Sequence, residues 1–280
     1  MKLKEIPKSL WASFKIGAIP LAKLGANPDK QIPVIVSLTS IPSRLSTLHL
    51  TIRSVLLQQC QPEKIVLWLH EELKTKIPKK LLELQNSVFE IRYSPYTFSH
   101  RKLIHSLESF TDKVIVTCDD DVLYSDLMLK SLFEKHQQEP DSVIGNRCRK
   151  MTYSNGKINS YKEWPFVAAD NGLNAHLMPV GAFGVLYPPG SLYKDVCDVD
   201  LFMKLTPKAD DLWFKAMAIK NGTLSMVNSF EVSDPIPIWG TQRIALKKIN
   251  KDQDFNKIQW ERVMQHYDWS KENIEATLTN

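Results

Sequence analysis

Four cysteines, Cys60, Cys118, Cys148 and Cys197, are all that this 280-residue chain holds, and no two stand in CxxC spacing. Free buried thiols in a reducing cytosol fit this scatter better than a disulfide framework or a zinc site. Long apolar runs are missing as well, so no segment has the length to span a bilayer. Internal repeats and low-complexity stretches are absent. A strong excess of one charge is absent too: a formal net charge of +5 is too weak for a nucleic-acid partner unless it is clustered. What remains, 43% apolar and 24% charged residues, is the make-up of a globular chain long enough for a full core.

One basic cluster does exist. Lys2, Lys4, Lys8, Lys15 and Lys23 meet no acid except Glu5 before Asp29, and Leu3, Ile6, Leu10, Trp11, Phe14, Ile16 and Ile19 are interleaved among them. Lysines interrupt every apolar stretch and no small-residue cleavage site follows cleanly, which argues against a secretory signal peptide. A basic amphipathic segment such as residues 1–30 can lie on an anionic membrane surface. The commoner use of an amphipathic stripe is packing on the body of its own domain.

Strand and helix signals then alternate. Pro33–Ser40 reads as a strand ending in hydroxyls, and Leu45, Leu48, Ile52, Val55 and Leu56 recur at helical spacing. Lys64–Leu69, the region of Glu90–Tyr93 and Val114–Cys118 read as further strands, separated by a short helix after Pro78 and a helix marked by Leu103, Ile104, Leu107 and Phe110. This order implies βαβ units and a mostly parallel sheet. Beyond it come a helix around Leu127–Glu134, a strand at Ser142–Gly145 and a polar, aromatic stretch, 146–171, that reads as a long functional loop. The stretch 179–190 reads as one strand closed by a Pro-Gly turn, and Leu212–Lys220 as a helix capped by Asn221-Gly222.

The chemistry-bearing residues sit at the ends of these elements. Asp119-Asp120-Asp121 follows an apolar, β-branched strand. Three adjacent carboxylates repel one another unless a positive charge sits among them, and a divalent cation with oxygen ligands is the natural one. Asp is also a common turn residue, so the triplet alone reads equally as an acidic loop. In open α/β sheets ligands bind beyond the carboxyl ends of the strands, where both Thr39-Ser40 and the triplet lie. A second acidic pair, Asp210-Asp211, opens a helix; helix capping accounts for one of these acids more readily than for both. Lys102 stands at a helix start, where a cation is otherwise disfavoured.

Taken in order, Thr39-Ser40 with Arg44 after the first strand, Asp119 and Asp121 as a strand-end DxD, Val185–Gly190 and Ala209–Trp213 resemble the nucleotide-sugar glycosyltransferases of the GT-A fold. The likeness is particularly to bacterial family-2-like enzymes that build surface polysaccharides, and it covers residues 32–230. The resemblance implies an α/β, GT-A-like fold with a mostly parallel central sheet flanked by helices. A Rossmann-like nucleotide-sugar-binding half, 31–125, would join an acceptor-binding and catalytic half, 126–240, with a helical tail at 241–280. It implies Mn2+ or Mg2+ on Asp121 and Asp119. Thr39, Ser40, Arg44, Lys102, Asp119 and Asp120 would stand around the nucleotide and phosphates of a donor, a UDP-sugar being favoured. A saccharide or lipid-linked saccharide would be the acceptor. The base maps onto Asp211, the second acid of the pair, with inversion of the anomeric carbon. Asp-Asp replaces the usual Glu-Asp, so Asp210 is the base if the register differs by one. His266 is not singled out as a third metal ligand by its surroundings. Trp164, Trp213 and Trp239 would stack on sugars or fill the core. The implied setting is the cytoplasm, with peripheral contact at the inner face of the plasma membrane through residues 1–30. Two rival readings are a magnesium-dependent phosphatase of the haloacid-dehalogenase type, which also carries a strand-end DxD, and a carbohydrate-binding protein that keeps the fold without the chemistry.

Overall fold

The first strand sets the architecture. In β1 (Gln31–Thr39) the apolar run is buried on both faces, Val34, Val36 and Leu38 on one side and Ile35 on the other. Successive side chains alternate across a sheet, so a strand apolar at every position must be covered by helices above and below. The computed structural model describes residues 3–277 apart from 26, 168–171, 173, 229, 231 and 242–253. It places β1 inside a seven-stranded sheet.

The partners of β1 are β2 (Gln61–His70) and β4 (Val114–Cys118), both parallel to it, and β3 (Phe89–Ser94) extends the sheet beyond β2. The small strands β5 (Val122–Leu123), β7 (Cys148–Lys150), β8 (Tyr153–Ser154), β9 (Lys157–Ile158), β10 (Leu177–Pro179) and β13 (Ile236–Pro237) pair outside this sheet. The rest of it consists of β6 (Val143–Gly145), β11 (Val185–Tyr187) and β12 (Ser225–Val227), giving the order β12-β6-β11-β4-β1-β2-β3. Only β11 runs against its neighbours β4 and β6, so the expected α/β architecture with a mostly parallel sheet is what the chain forms.

Helices cover both faces. α2 (Leu45–Leu56), α3 (Lys79–Leu82) and α5 (Met128–Gln138) pack on the Val34–Leu38 side through Leu48, Ile52, Val55, Leu81 and Leu132. α4 (Arg101–Ser109), α6 (Val199–Leu205) and α7 (Asp210–Lys220) cover the Ile35 side, with Leu103, Ile104, Phe202, Trp213 and Phe214 in one cluster. The helix Phe255–Tyr267 closes that side through Trp260 and Val263, and Lys271–Thr277 follows it. Near the amino terminus, α1 (Ile6–Gly17) lies against α2. Among the described residues no helix is long and apolar enough to cross a membrane.

From β1 the chain runs outward through β2 and β3, then returns through α4 to β4 on the other side of β1. The carboxyl ends of β1 and β4 therefore flank the point where the strand order reverses, the usual place for a ligand crevice in such sheets.

Two sequence expectations need correcting. The stretch 146–171 is not a plain loop: β7 pairs with β10, and β8 with β9, so its polar backbone is hydrogen-bonded as small antiparallel ladders. Its last four residues, 168–171, lie outside the described residues, as does Lys2 of the basic cluster. The stretch 179–190 is not one strand either. A 3-10 turn, Gly181–Phe183, separates β10 from β11, and Gly184 leaves that turn at φ 91°, a conformation L side chains rarely adopt. A β-carbon there would also stand 3.1 Å from Met128 Sδ. Gly184→Ala should cost about 1–3 kcal/mol of stability, read as a lower urea midpoint with unchanged slope.

Candidate active site

The triplet's three carboxylates do different things in the bend between β4 and β5. Asp120 turns inward and is 4% exposed. Its Oδ2 accepts from the Ser40 hydroxyl and its Oδ1 from the Arg44 guanidinium, both at 2.5 Å, and Thr51 Oγ1 lies 3.0 Å from its carbonyl. Burial pushes the Asp120 carboxyl above its usual range, and Arg44 and Ser40 pull it part of the way back. Of its two neighbours, Asp121 is also buried, whereas Asp119 is partly exposed. Asp121 Oδ2 is 3.0 Å from the other amine of Arg44, and the Asp119 side chain is one-third exposed. Burial works against the Arg44 charge, but Asp120 and Asp121 outweigh it and raise its pKa.

α4 delivers two cations from its first turn. Arg101 is buried and spans the crevice floor: its guanidinium donates to the Thr39 hydroxyl and to the carbonyls of Ser40 and Tyr96. Burial lowers its pKa to about 10. Lys102, 5% exposed, is no solvated surface charge. Its ammonium lies 3.1 Å from Asp119 Oδ1 and 2.8 Å from Asp210 Oδ2. Burial alone would lower its pKa, and Asp119, Asp210 and Asp211 together raise it well above the usual lysine value. These partners offset the cost of placing two cations at the positive end of a helix.

The second acidic pair sits in the first turn of α7, yet neither acid caps it; the N-cap position is Ala209 and no side chain fills it. Asp211 Oδ2 instead accepts a 3.0 Å hydrogen bond from the Gly181 N–H in the turn between β10 and β11. The two neighbours have opposite electrostatics. Burial disfavours charge on Asp210, but Lys102 and then His100 more than compensate and hold its carboxyl at about 2. Burial raises Asp211 to about 7; Lys102 opposes that, while the charges of Asp210 and Asp119 reinforce it. Tyr124 fastens the two acidic regions together, its hydroxyl accepting from the Asp119 N–H at 2.8 Å and donating to the Ala182 carbonyl at 3.3 Å.

Thr39, Ser40, Arg44, Lys102, Asp119, Asp120, Asp121, Asp210 and Asp211 thus gather in one crevice at the carboxyl ends of β1 and β4. The hydroxyl of Thr39 is already engaged, donating to the Trp68 carbonyl at 2.8 Å and accepting from Arg101. Ser40 is spent on Asp120. His266 lies elsewhere, exposed on the last turn of the helix Phe255–Tyr267. Trp164 and Trp213 are fully buried core residues, whereas Trp239 is exposed. Sequence reasoning missed Arg101, Tyr124 and Gly181. A cation at a helix start was a readable signal for Arg101 as for Lys102, but nothing local marks a backbone N–H that serves a carboxylate 30 residues away.

Part of the positive charge among the acids is protein-borne: Arg44 pairs with Asp120 and Asp121, and Lys102 with Asp119 and Asp210. The count does not balance, however. Five carboxylates face the three cations Arg44, Arg101 and Lys102, leaving the crevice two positive charges short when all five are ionised. Among the described residues no three His, Cys, Asp or Glu side chains converge on one point. Asp119 and Asp121 fit a hard divalent cation of the kind that takes one or two carboxylates and completes its shell with substrate phosphate and water. Replacing Lys102 by Met should cost about 3–5 kcal/mol, because it strands buried carboxylates. Asp210 is depressed in the folded state, so this stabilisation is complete above its unfolded pKa of about 4 and lost as pH falls towards 2. Urea titrations of both proteins should accordingly show a gap that is full at neutral pH and closes in acid.

No protein-family model matches the chain, and no curated protein matches it. Among solved structures, CMP:2-keto-3-deoxy-manno-octonic acid synthetase complexed with CTP is 11% identical, covering 86% of this chain and 100% of that one, with a TM-score of 0.43. The inositol-1-phosphate CTP transferase from T. maritima is 10% identical over 84% of this chain and 96% of its own, with a TM-score of 0.39. An apo UDP-glucose pyrophosphorylase is 8% identical over 85% and 98%, with a TM-score of 0.41. At these scores the likenesses carry no functional argument.

Proposed function

We propose that this chain is a metal-dependent, inverting glycosyltransferase that moves a sugar from a nucleotide sugar, a UDP-sugar by preference, to a saccharide acceptor. The supporting observation is that one buried ammonium, Lys102, joins the strand-end acids to the helix-start acids, beside a carboxylate poised near neutrality. A phosphate-handling end and a base stand side by side, which a transfer to a hydroxyl requires.

Asp211 is the base. Asp210 is locked in its charged form by Lys102 and is a poor proton acceptor. Asp211, raised to about 7, matches the best value for a base working near neutral pH. Its carboxylate takes the proton of the acceptor hydroxyl while that oxygen bonds to the anomeric carbon. The bond from that carbon to the diphosphate breaks, and the nucleoside diphosphate leaves. A single displacement of this kind inverts the anomeric centre. Mn2+ or Mg2+ held by Asp121 and Asp119 would, when bound, neutralise the charge growing on the leaving diphosphate. Arg44, anchored on Asp120, keeps a fixed positive charge at the same end. On the acceptor side, Phe166 is half exposed, meets Phe183 edge-on at 5.9 Å and has Arg149 over its ring at 4.1 Å, a surface suited to a sugar face.

Nucleoside diphosphate release in a screen of nucleotide sugars with Mn2+ tests this reading. Pyrophosphate release from a nucleoside triphosphate and a sugar phosphate would replace it with nucleotidyl transfer. Phosphate release from a simple phosphomonoester would replace it with a phosphatase, and silence in all three assays with a binding protein. Asp211→Asn should lower turnover about 10²–10⁴-fold while metal-dependent donor binding, followed by calorimetry, stays intact. The base works only when deprotonated, so kcat/KM should rise with pH through about 7 and level off above it. Near-wild-type turnover in the variant would remove Asp211 from this role.

Gly181 provides a separate check on the geometry. A β-carbon there would stand 2.6 Å from Asp211 Oδ1 and 3.1 Å from Lys102 Nζ. Gly181→Ala should therefore shift the base and lower kcat about 10²-fold, with circular dichroism unchanged.

A further inference from the structure

α1 divides its residues between two opposed sides. Its inner side is docked: Ser9 is buried and donates to the Pro237 carbonyl at 2.7 Å, and Arg53 of α2 donates to the carbonyls of Ile16 and Ile19 at 3.4 and 2.7 Å. Ile6 and Ile16 are half-buried on that side. The outer side is apolar and uncovered. Trp11 and Phe14 are 67% and 68% exposed, their rings stacked at 6.2 Å, and Leu10 is exposed beside them. Pro7, Leu10, Trp11 and Phe14 follow the i, i+3, i+4, i+7 spacing of one helix face. Leu3, one turn earlier, is also exposed.

Lysines edge this stripe. Lys4, Lys8 and Lys15 are exposed, and Lys8 and Lys15 stand two turns apart next to Trp11. The only acid before Asp29, Glu5, is half-buried. A docked helix with stacked aromatics and aliphatics facing out, rimmed by cations, has the composition of an interfacial membrane helix.

We propose that the outer face of α1 seats the protein on an anionic lipid bilayer. Trp11, Phe14, Leu10 and Leu3 enter the boundary between headgroups and acyl chains, and Lys4, Lys8 and Lys15 pair with anionic headgroups. The occupant is chosen by charge. A second copy of the same face would bring lysine against lysine, and the body of the domain is already on the opposite side of the helix. This inference does not depend on the proposed reaction, because its readout is vesicle binding and needs no turnover.

Co-sedimentation of the full chain with phosphatidylcholine vesicles, with and without phosphatidylglycerol, tests it. The parent should bind the anionic vesicles, and added salt should weaken that binding. Trp11→Ser with Phe14→Ser should weaken it about tenfold or more, through the lost apolar insertion. Lys8→Gln with Lys15→Gln should remove most of the salt dependence while leaving the aromatics in place. All four side chains are exposed, so thermal unfolding should be unchanged in both variants, and Asp211→Asn should bind vesicles like the parent. A parent that ignores anionic vesicles, or a Trp11/Phe14 variant that binds as well as the parent, overturns the proposal. So does a lipid-free dimer of the parent that the same variant converts to monomer, which would make the face a self-association surface.

Discussion

One ammonium group holds the crevice together. Lys102 is nearly inaccessible, and a buried charge is tolerated only where opposite charges meet it at close range. Its partners come from two regions 91 residues apart in the chain, Asp119 after β4 and Asp210 at the start of α7. Satisfying Lys102 therefore fixes the first turn of α4, the end of β4 and the first turn of α7 relative to one another. The Gly181 turn is drawn in as well, because Asp211 sits beside Asp210 and takes its N–H.

The same constraint separates two chemically identical neighbours. Asp210 spends its charge on Lys102 and stays ionised. Asp211 is buried too but lacks that direct ion pair, and it also meets repulsion from Asp210 and Asp119. One acid becomes a fixed countercharge and the other a group that changes protonation near neutral pH, which is how paired carboxylates acquire unequal roles. The shortfall of positive charge in the crevice acts in the same direction. A doubly charged cation at Asp119 and Asp121 would relieve the repulsion on Asp211 and favour its charged form, so in the proposed reaction metal binding and the readiness of Asp211 would be coupled through the field of the site.

The legibility of the molecule in its sequence follows the range of the forces involved. β1, β2, β4, α2 and α7 were readable because apolar periodicity is local and sheet faces alternate by geometry. The meeting of Thr39-Ser40 with the Asp triplet was foreseeable from strand ends, whereas Asp210-Asp211 was joined to them only by the family resemblance. The unreadable parts are those set by distant partners. Asp210-Asp211 resembles a helix cap until the Gly181 N–H claims one acid. The stretch 146–171 resembles a loop because its short strands are too brief to show a period and are fixed by pairing, β7 with β10 across 29 residues. Arg44 was readable as a cation for a ligand's phosphates, but nothing local shows that it folds back from a 3-10 turn onto Asp120 and Asp121.

The amino-terminal helix is tied to this crevice by a short chain of hydrogen bonds. Ser9 holds the Pro237 carbonyl, β13 pairs with β5, and Ile238 donates to the Asp121 carbonyl at 2.9 Å. β5 begins at the residue after Asp121, so the face of α1 that carries Trp11 and Phe14 is referenced to the Asp-triplet end of the crevice through few joints, none of them a long loop. A bilayer touching that face would orient the crevice as a body instead of merely raising the local protein concentration. Because α1 is docked through Ser9 and Ile16, with Ile19 held just beyond its end, inserting its aromatics requires no refolding. The ordering cost that weakens binding by disordered amphipathic segments is then already met in the folded chain.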